Sequence, residues 1–156
     1  MNFQEAINQL SDDRFTAFAL PLFVLAIVFE AVLSWQQDRH LYQARDTFTS
    51  LIMLVFSAIV DFVPKAAAFI VFFYLHEWSP LRDLVGRQWW AWLALFFLDD
   101  FIYYWFHRAN HEVRFFWAGH VPHHSSVKLN FGTALRQGVG ERIHKYFFWL
   151  PLPLLG

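Results

Sequence analysis

The chain has 156 residues, of which 57% are apolar and 21% aromatic, and its formal net charge is -1 at pH 7. Ordinary soluble domains are about 45–50% apolar, so this composition indicates either a very apolar core or several membrane spans. The balanced charge gives no sign of a nucleic-acid partner. The absence of cysteine excludes disulfides and thiolate metal sites.

The first predicted element is a membrane-spanning helix. Residues 1–14 are polar and mildly acidic, whereas a cleavable signal peptide begins with positive charge. Residues 15–35 contain no Lys or Arg, and they are about as long as the roughly 20 residues that cross a bilayer. We therefore predict a retained span there. Its one charged residue, Glu30, is interpreted as a carboxyl near the interface.

A second apolar stretch covers residues 47–75 and is interrupted by Asp61, Pro64 and Lys65. Asp61 and Lys65 lie four positions apart, which predicts a structural ion pair on one helix face. Pro64 has no amide hydrogen and predicts a kink. We favour one kinked, tilted span, and a re-entrant hairpin is the alternative.

A third apolar stretch, residues 88–106, has Trp near its start and Tyr and Trp near its end, as aromatic belts at two interfaces require. A fourth apolar segment begins at Tyr146 and has 11 residues, too few to cross a membrane. We therefore expect residues 1–156 to be the N-terminal portion of a single, truncated membrane-embedded domain.

The distribution of Lys and Arg predicts the orientation. With the N-terminus outside, three cations lie outside (Arg14, Arg82 and Arg87) and eight inside (Arg39, Arg45, Arg108, Arg114, Lys128, Arg136, Arg142 and Lys145). This asymmetry follows the positive-inside rule. We predict an all-α, integral membrane helical bundle, in the bacterial inner membrane or the endoplasmic reticulum. The histidine-rich region after the third span then faces the cytoplasm.

A first histidine box, His107 and His111, follows the third span. A helix turns by about 100° per residue, so both rings share a face with Asp100 and Tyr104. Neutral imidazole is a good ligand for iron, zinc or copper. A nearby carboxylate commonly orients such a ring, and Asp100 is our candidate for that role, although it lies two turns from His107.

The second box reads His120-Val121-Pro122-His123-His124. Proline is favoured at the first position of a helix, so we predict a helix that begins at Pro122 and carries His123 and His124 in its first turn. Adjacent helical residues point about 100° apart, so these two suit two neighbouring ions better than one. The predicted metal ligands are His107, His111, His120, His123 and His124.

Other polar residues have weaker signals. We interpret three isolated histidines, His40, His76 and His144, as hydrogen-bonded surface residues. Five residues after the second box are candidates for hydrogen bonds around the metal or head-group contacts, and more simply for helix caps. They are Ser125, Ser126, Asn130, Arg136 and Gln137.

Together, DFIYYWFHRANH at 100–111 and FWAGHVPHHSS at 116–126 resemble the fatty acid hydroxylase/sterol desaturase superfamily. NFGTALRQ at 130–137 is most similar to the alkylglycerol monooxygenase branch and its bacterial relatives. The resemblance implies that three histidine boxes hold two non-haem iron ions, which activate dioxygen at the cytoplasmic face. The two boxes above correspond to the first two. The third has no counterpart here, and we expect it beyond Gly156.

The implied activity is hydroxylation or desaturation of a membrane lipid that is a fatty acid, alkylglycerol or sterol-like molecule. It would use O2 and an external electron donor, a pterin or a cytochrome- or ferredoxin-type protein. A haem b electron-transfer protein is one alternative, but it needs axial histidines on two helices within the hydrocarbon. A non-catalytic or incomplete metal-binding membrane fragment is another. The HisGluX2His motif of zinc proteases is absent, because Val113, Arg114 and Phe115 follow Glu112.

Overall fold

The computed structural model describes residues 3–11, 14–82 and 88–155; Arg87 and Gly156, named above, lie outside these ranges. The α-helices are α1 (Phe3–Ser11), α2 (Arg14–Gln36), α3 (Ala44–Trp78), α4 (Trp89–Glu112), α5 (Arg114–His120) and α6 (Arg142–Trp149). Short 3-10 helices cover Val121–His124, Phe131–Leu135 and Leu152–Leu154. The described ranges contain no strand, which confirms the predicted all-α fold.

Among the residues that the structure describes, two helices are long and apolar enough to cross a membrane, at Ala17–Gln36 and Ala44–Trp78. They coincide with the first two predicted spans. Most of their side chains are exposed, including Phe18, Phe29 and Phe62, whereas the core helix of a soluble protein would be buried. A hydrocarbon surrounding accounts for such exposure, and we conclude that this is a membrane protein.

Helix α3 has 35 residues and continues through Pro64 without interruption, so the re-entrant hairpin is wrong. At a rise of about 1.5 Å per residue it is about 50 Å long, and a bilayer core is only about 30 Å thick. The helix must therefore tilt or extend beyond the hydrocarbon.

Helix α4 begins at Trp89, one residue after the start of the third apolar stretch, and extends beyond residue 106 to include the first histidine box. Near the end of the chain, α6 begins at Arg142, four residues before the apolar segment predicted at Tyr146. It ends at Trp149, two residues before Pro151, because proline cannot continue the hydrogen-bond ladder.

The chain divides into two compact units, the first made of residues 1–52 and 126–136. Glu30 on α2 organises part of it. Its Oε2 accepts hydrogen bonds from the Tyr42 hydroxyl at 2.6 Å and from the Phe131 backbone N–H at 2.7 Å. Burial, together with the hydrogen bond to Glu30, raises the pKa of Tyr42 to about 12. The carboxylate thus holds two loop positions against α2.

A second anchor in this unit joins the start of α3 to the segment after the second histidine box. Arg136 is buried and donates from Nη2 to Oδ1 of Asp46 at 2.6 Å. The Ser126 hydroxyl donates to Oδ2 of Asp46 at 2.7 Å. Asn130 caps the 3-10 helix at Phe131–Leu135 by accepting from the Thr133 N–H, and donates to the Leu41 carbonyl at 2.9 Å. These bonds fix both ends of residues 126–136.

The second unit consists of residues 53–125 and 137–156. Its centre is Phe106 on α4, which is 2% exposed. The Phe106 ring lies edge-on to the rings of Phe148 and Trp149, with centroids 5.6 and 5.4 Å away. At the end of the chain, the Ser79 hydroxyl donates to the Leu154 carbonyl at 2.6 Å. These contacts pack the last residues of the chain onto α3 and α4.

The predicted pairing of Asp61 with Lys65 is not observed, since Asp61 contacts Arg142 instead, with 3.4 Å between Oδ2 and Nε. Asp61 is buried, and Arg142 at the start of α6 lies 81 positions away in the sequence. The i,i+4 spacing favoured Lys65, but the fold of the second unit supplies a cation from another helix.

We predict that Arg136→Leu destabilises the chain, because it leaves the Asp46 carboxylate without its cation. Removing one partner of a buried ion pair costs about 3–5 kcal/mol. We expect the lower end of this range, since Asp46 is about a quarter exposed. The measurement is the free energy of unfolding in mixed micelles. Arg45→Leu is the matched control: Arg45 is exposed and should change stability by less than about 0.5 kcal/mol. Equal losses for both variants would contradict the anchor.

Candidate metal centre

Four of the five predicted ligands form one group. His107 and His111 lie on the last two turns of α4, His120 ends α5, and His124 ends the following 3-10 helix. One ligand atom from each lies within 4.8 Å of the others. The Nε2 atoms of His107 and His111 are 3.2 Å apart, and those of His120 and His124 are 3.0 Å apart.

These spacings fit a single ion. With metal–nitrogen distances of about 2.0–2.1 Å, two ligands at right angles have nitrogens about 3.0 Å apart, and two opposite ligands about 4.2 Å. The observed range of 3.0 to 4.8 Å therefore needs only small ring movements. An all-imidazole donor set suits iron, copper, nickel or zinc.

His123 does not belong to the group of four. Its ring centroid lies 5.5 Å from that of His120 and 5.2 Å from that of His124. This agrees with the argument that adjacent residues of a helix point in different directions. The assignment of His123 as a ligand stays a prediction.

The backbone of the second box differs in detail from the expectation. Pro122 occupies an early helical position, as predicted, and the helix at Val121–His124 is a single 3-10 turn. It follows α5 directly, and the two short helices together bring His120 and His124 onto one side.

Aromatic rings flank the group. The Tyr103 ring stacks on His107 with centroids 5.7 Å apart, and the Trp117 ring stacks on His124 at 5.8 Å. Burial, and then the neighbouring imidazoles, lower the pKa of His120 to about 4 and also lower that of His124. Both rings are therefore neutral at pH 7, which is the form that binds metal.

A buried polar chain lies behind His120, and the sequence did not reveal it. The Nδ1 of His120 lies 3.2 Å from Oε1 of Glu141, which also accepts from Nδ2 of Asn110 at 2.9 Å. The Oδ1 of Asn110 is 2.7 Å from Nε2 of His144. The one sequence feature that could have indicated a role for Asn110 is its place immediately before His111 on α4. Glu141 had no such feature, because it follows His120 by 21 positions.

The predicted orienting carboxylate, Asp100, is exposed on α4. Over the described part of the chain, the structure shows no hydrogen bond from it to a histidine ring, and its role stays a prediction. Tyr104 is also exposed, and its hydroxyl accepts from Arg108 at 3.3 Å. Of the four residues predicted to share one face of α4, the structure thus brings His107 and His111 together but leaves Asp100 and Tyr104 apart from them.

The isolated histidines separate into different environments. His40 is exposed and contacts Asp38 at 2.9 Å, as a surface residue should. His76 is partly buried and lines an apolar cavity of about 590 Å³ with Trp90, Leu95 and others. His144 is buried rather than on the surface, which corrects the prediction. Its ring stacks on Phe116 at a centroid distance of 4.2 Å.

Three of the five polar residues after the second box are structural. Ser126 and Arg136 bind Asp46, and Asn130 caps a helix. Ser125 donates to the Pro122 carbonyl at 2.7 Å, which closes the 3-10 turn that carries His124. The simpler interpretation as a helix cap therefore holds for Asn130. Ser125 makes a local bond, Ser126 and Arg136 make long-range bonds to Asp46, and no role is assigned to Gln137.

Comparison with known proteins gives an independent result. Residues 92–156, which include all five predicted ligands, match the fatty acid hydroxylase family. The chain is 39% identical over 131 residues to alkylglycerol monooxygenase of Xenopus tropicalis, covering 82% of this chain and 28% of that protein. It is 36% identical over 137 residues to the human alkylglycerol monooxygenase, covering 87% and 31%.

A shorter match, 43% identical over 52 residues, is to fatty acid hydroxylase vlmA of a Lecanicillium species, covering 30% of this chain and 14% of that protein. No solved structure matches the chain. The chain spans about a third or less of the length of these curated relatives. With the histidine boxes at the predicted positions, these matches confirm the resemblance: the chain belongs to the fatty acid hydroxylase/sterol desaturase superfamily.

Proposed function

We propose that this protein is a membrane-bound, non-haem iron oxidoreductase that uses dioxygen to hydroxylate or desaturate a lipid. The convergence of four histidine nitrogens within 4.8 Å carries the proposal, because it supplies a site for a redox metal in a membrane protein of this family. Its similarity to alkylglycerol monooxygenases makes an alkylglycerol the first substrate to test, followed by fatty acids and sterols.

The donor set favours bare iron over haem. Haem b would take two axial histidines with the porphyrin between them, and four imidazoles within 4.8 Å of one another leave no room for that ring. We propose two iron ions, with His123 contributing to the second. The rings of the adjacent His123 and His124 have centroids 5.2 Å apart and planes at 78° to each other, and this arrangement supports the stoichiometry.

The residues around the site have separate tasks. Bound iron would supply the activation of dioxygen that breaks an unactivated C–H bond. The four histidines would hold it through one ring nitrogen each. The Tyr103 and Trp117 rings stack on His107 and His124 and help to hold these two imidazoles in place. The exposed apolar helices keep the protein in the same phase as its lipid substrate.

We further propose that the histidine boxes face the cytoplasm and that the electrons come from a reductant there, a pterin or a cytochrome- or ferredoxin-type protein. The Lys and Arg asymmetry supports this orientation.

The first prediction from the proposed function concerns the ligands. Alanine at His107, His111, His120 or His124 should weaken metal binding by more than the about 10–100-fold that loss of a supporting hydrogen bond costs, because each removes a donor atom. His123→Ala should reduce the number of bound ions. His40→Ala, on the exposed loop before α3, is the control. The measurement is metal content by mass spectrometry after purification, and normal content in His107→Ala would show that the assignment is wrong.

The second prediction concerns the metal and reaction. The protein purified from membranes should contain iron, show no Soret band, and oxidise a lipid only with O2 and a reductant present. Removal of iron by a chelator should abolish turnover, and Fe(II) should restore it. A Soret band, or full activity with zinc alone, would overturn the proposal.

The third prediction concerns orientation. Cysteines introduced at Asn8 and at Val127 report on the two sides of the membrane; Val127 is 95% exposed and follows the second box by three residues. A membrane-impermeant thiol reagent added to intact cells should label position 8 only. The chain has no native cysteine to interfere. Labelling at position 127 but not at 8 reverses the orientation.

A further inference from the structure

Glu141 connects one metal-site histidine to the interior of the second unit. Its Oε1 lies 3.2 Å from Nδ1 of His120 and 2.9 Å from Nδ2 of Asn110. His120 is 2% exposed and Asn110 is fully buried. Because water has little access to these atoms, the carboxylate is the partner on which both side chains depend.

The positions of the two ring nitrogens define where the proton of His120 lies. Its Nε2 faces the group of four, 3.0 Å from Nε2 of His124. A nitrogen that binds metal carries no proton, so the one proton of the neutral ring must be on Nδ1. Glu141 is placed to accept it. Within residues 88–155, the structure shows no protein acceptor at Nδ1 of His107, His111 or His124.

Glu141 is itself held in place. Asn110 turns its amide nitrogen to the carboxylate, so its Oδ1 is the acceptor for the N–H at Nε2 of His144, at 2.7 Å. His144 is fixed by stacking on Phe116, with an interplanar angle of 11°. Each bond in this chain therefore has one donor and one acceptor: His144 donates to Asn110, and Asn110 and His120 both donate to Glu141.

Gly138 allows the carboxylate to reach His120. A Cβ at Gly138 would collide with the Gly119 carbonyl and would lie 2.5 Å from Oε2 of Glu141. Gly119 immediately precedes His120 in α5. Only a residue without a side chain permits this approach between the segment before Glu141 and the end of α5.

We propose that Glu141 is a positioning residue that keeps the proton of His120 on Nδ1 and thereby commits Nε2 to the metal, with Asn110 and His144 orienting the carboxylate. This inference rests on the proposed metal site. A carboxylate bonded to the outer nitrogen of a ligating histidine fixes the ring and strengthens its donor nitrogen, and loss of such a contact typically costs about 10–100-fold in metal affinity.

The test uses Co(II) as the probe, titrated into the purified chain in detergent micelles and followed by its visible absorption bands. Glu141→Ala should weaken Co(II) binding by about 10–100-fold and shift the bands. Glu141→Gln keeps an oxygen acceptor and should retain most of the affinity. Glu77→Ala, at an exposed ion pair with Arg82, should leave Co(II) binding unchanged.

A second measurement needs no variant and therefore does not depend on whether Glu141→Ala folds. In the zinc-loaded wild-type chain, nitrogen NMR of the histidine rings should show His120 protonated at Nδ1 and metal-bound at Nε2. Zinc at Nδ1 of His120, or unchanged Co(II) affinity and bands in folded Glu141→Ala, overturns the role of Glu141 while the metal site stands. Failure of the wild-type chain to bind Co(II) at all overturns the proposed function and this inference with it.

Discussion

The structure depends on holding four imidazole nitrogens against one another. Lone pairs that converge on one point repel, so the group contributes little stability until a cation is present. Rigid backbone must therefore hold it. Helix α4 supplies two rings from consecutive turns, and α5 with its 3-10 extension supplies the other two. The packing of Phe106 against Phe148 and Trp149 keeps the end of α4 in place.

Distant hydrogen-bond partners hold the charged groups elsewhere in the chain. In low-dielectric surroundings a polar atom without a partner is costly, and each of two carboxylates has found donors at a distance in sequence. Glu30 binds Tyr42 and the Phe131 backbone, and Asp46 binds Ser126 and Arg136. Such bonds can shape loops in a membrane protein, where apolar contacts with lipid favour no particular loop conformation.

The sequence predicted what depends on local pattern. Apolar length placed α2 and α3, aromatic content placed the start of α4, and the spacing of His107, His111, His120 and His124 predicted ligands that the fold brings together. It failed where partners are distant. Nothing local pairs Asp46 with Arg136 across 90 positions, or His120 with Glu141 across 21. Asp61 and Lys65 have the i,i+4 spacing of a helical ion pair, yet Asp61 pairs with Arg142 on α6. Local spacing therefore indicates possible partners for a charged side chain, and tertiary packing determines which partner it contacts.

The position of His123 bears on how many ions the site can hold. The four grouped nitrogens can surround one ion without it, and its ring lies beside that group rather than within it. Glu141 cannot readily serve as a ligand of a second ion through Oε1, because that atom already accepts from Asn110 and faces His120. A second iron would therefore have His123 as its own donor and would need to share donors from the group or take others. The two irons proposed for this centre would then be unequal in their ligands, and the four grouped histidines would hold one of them.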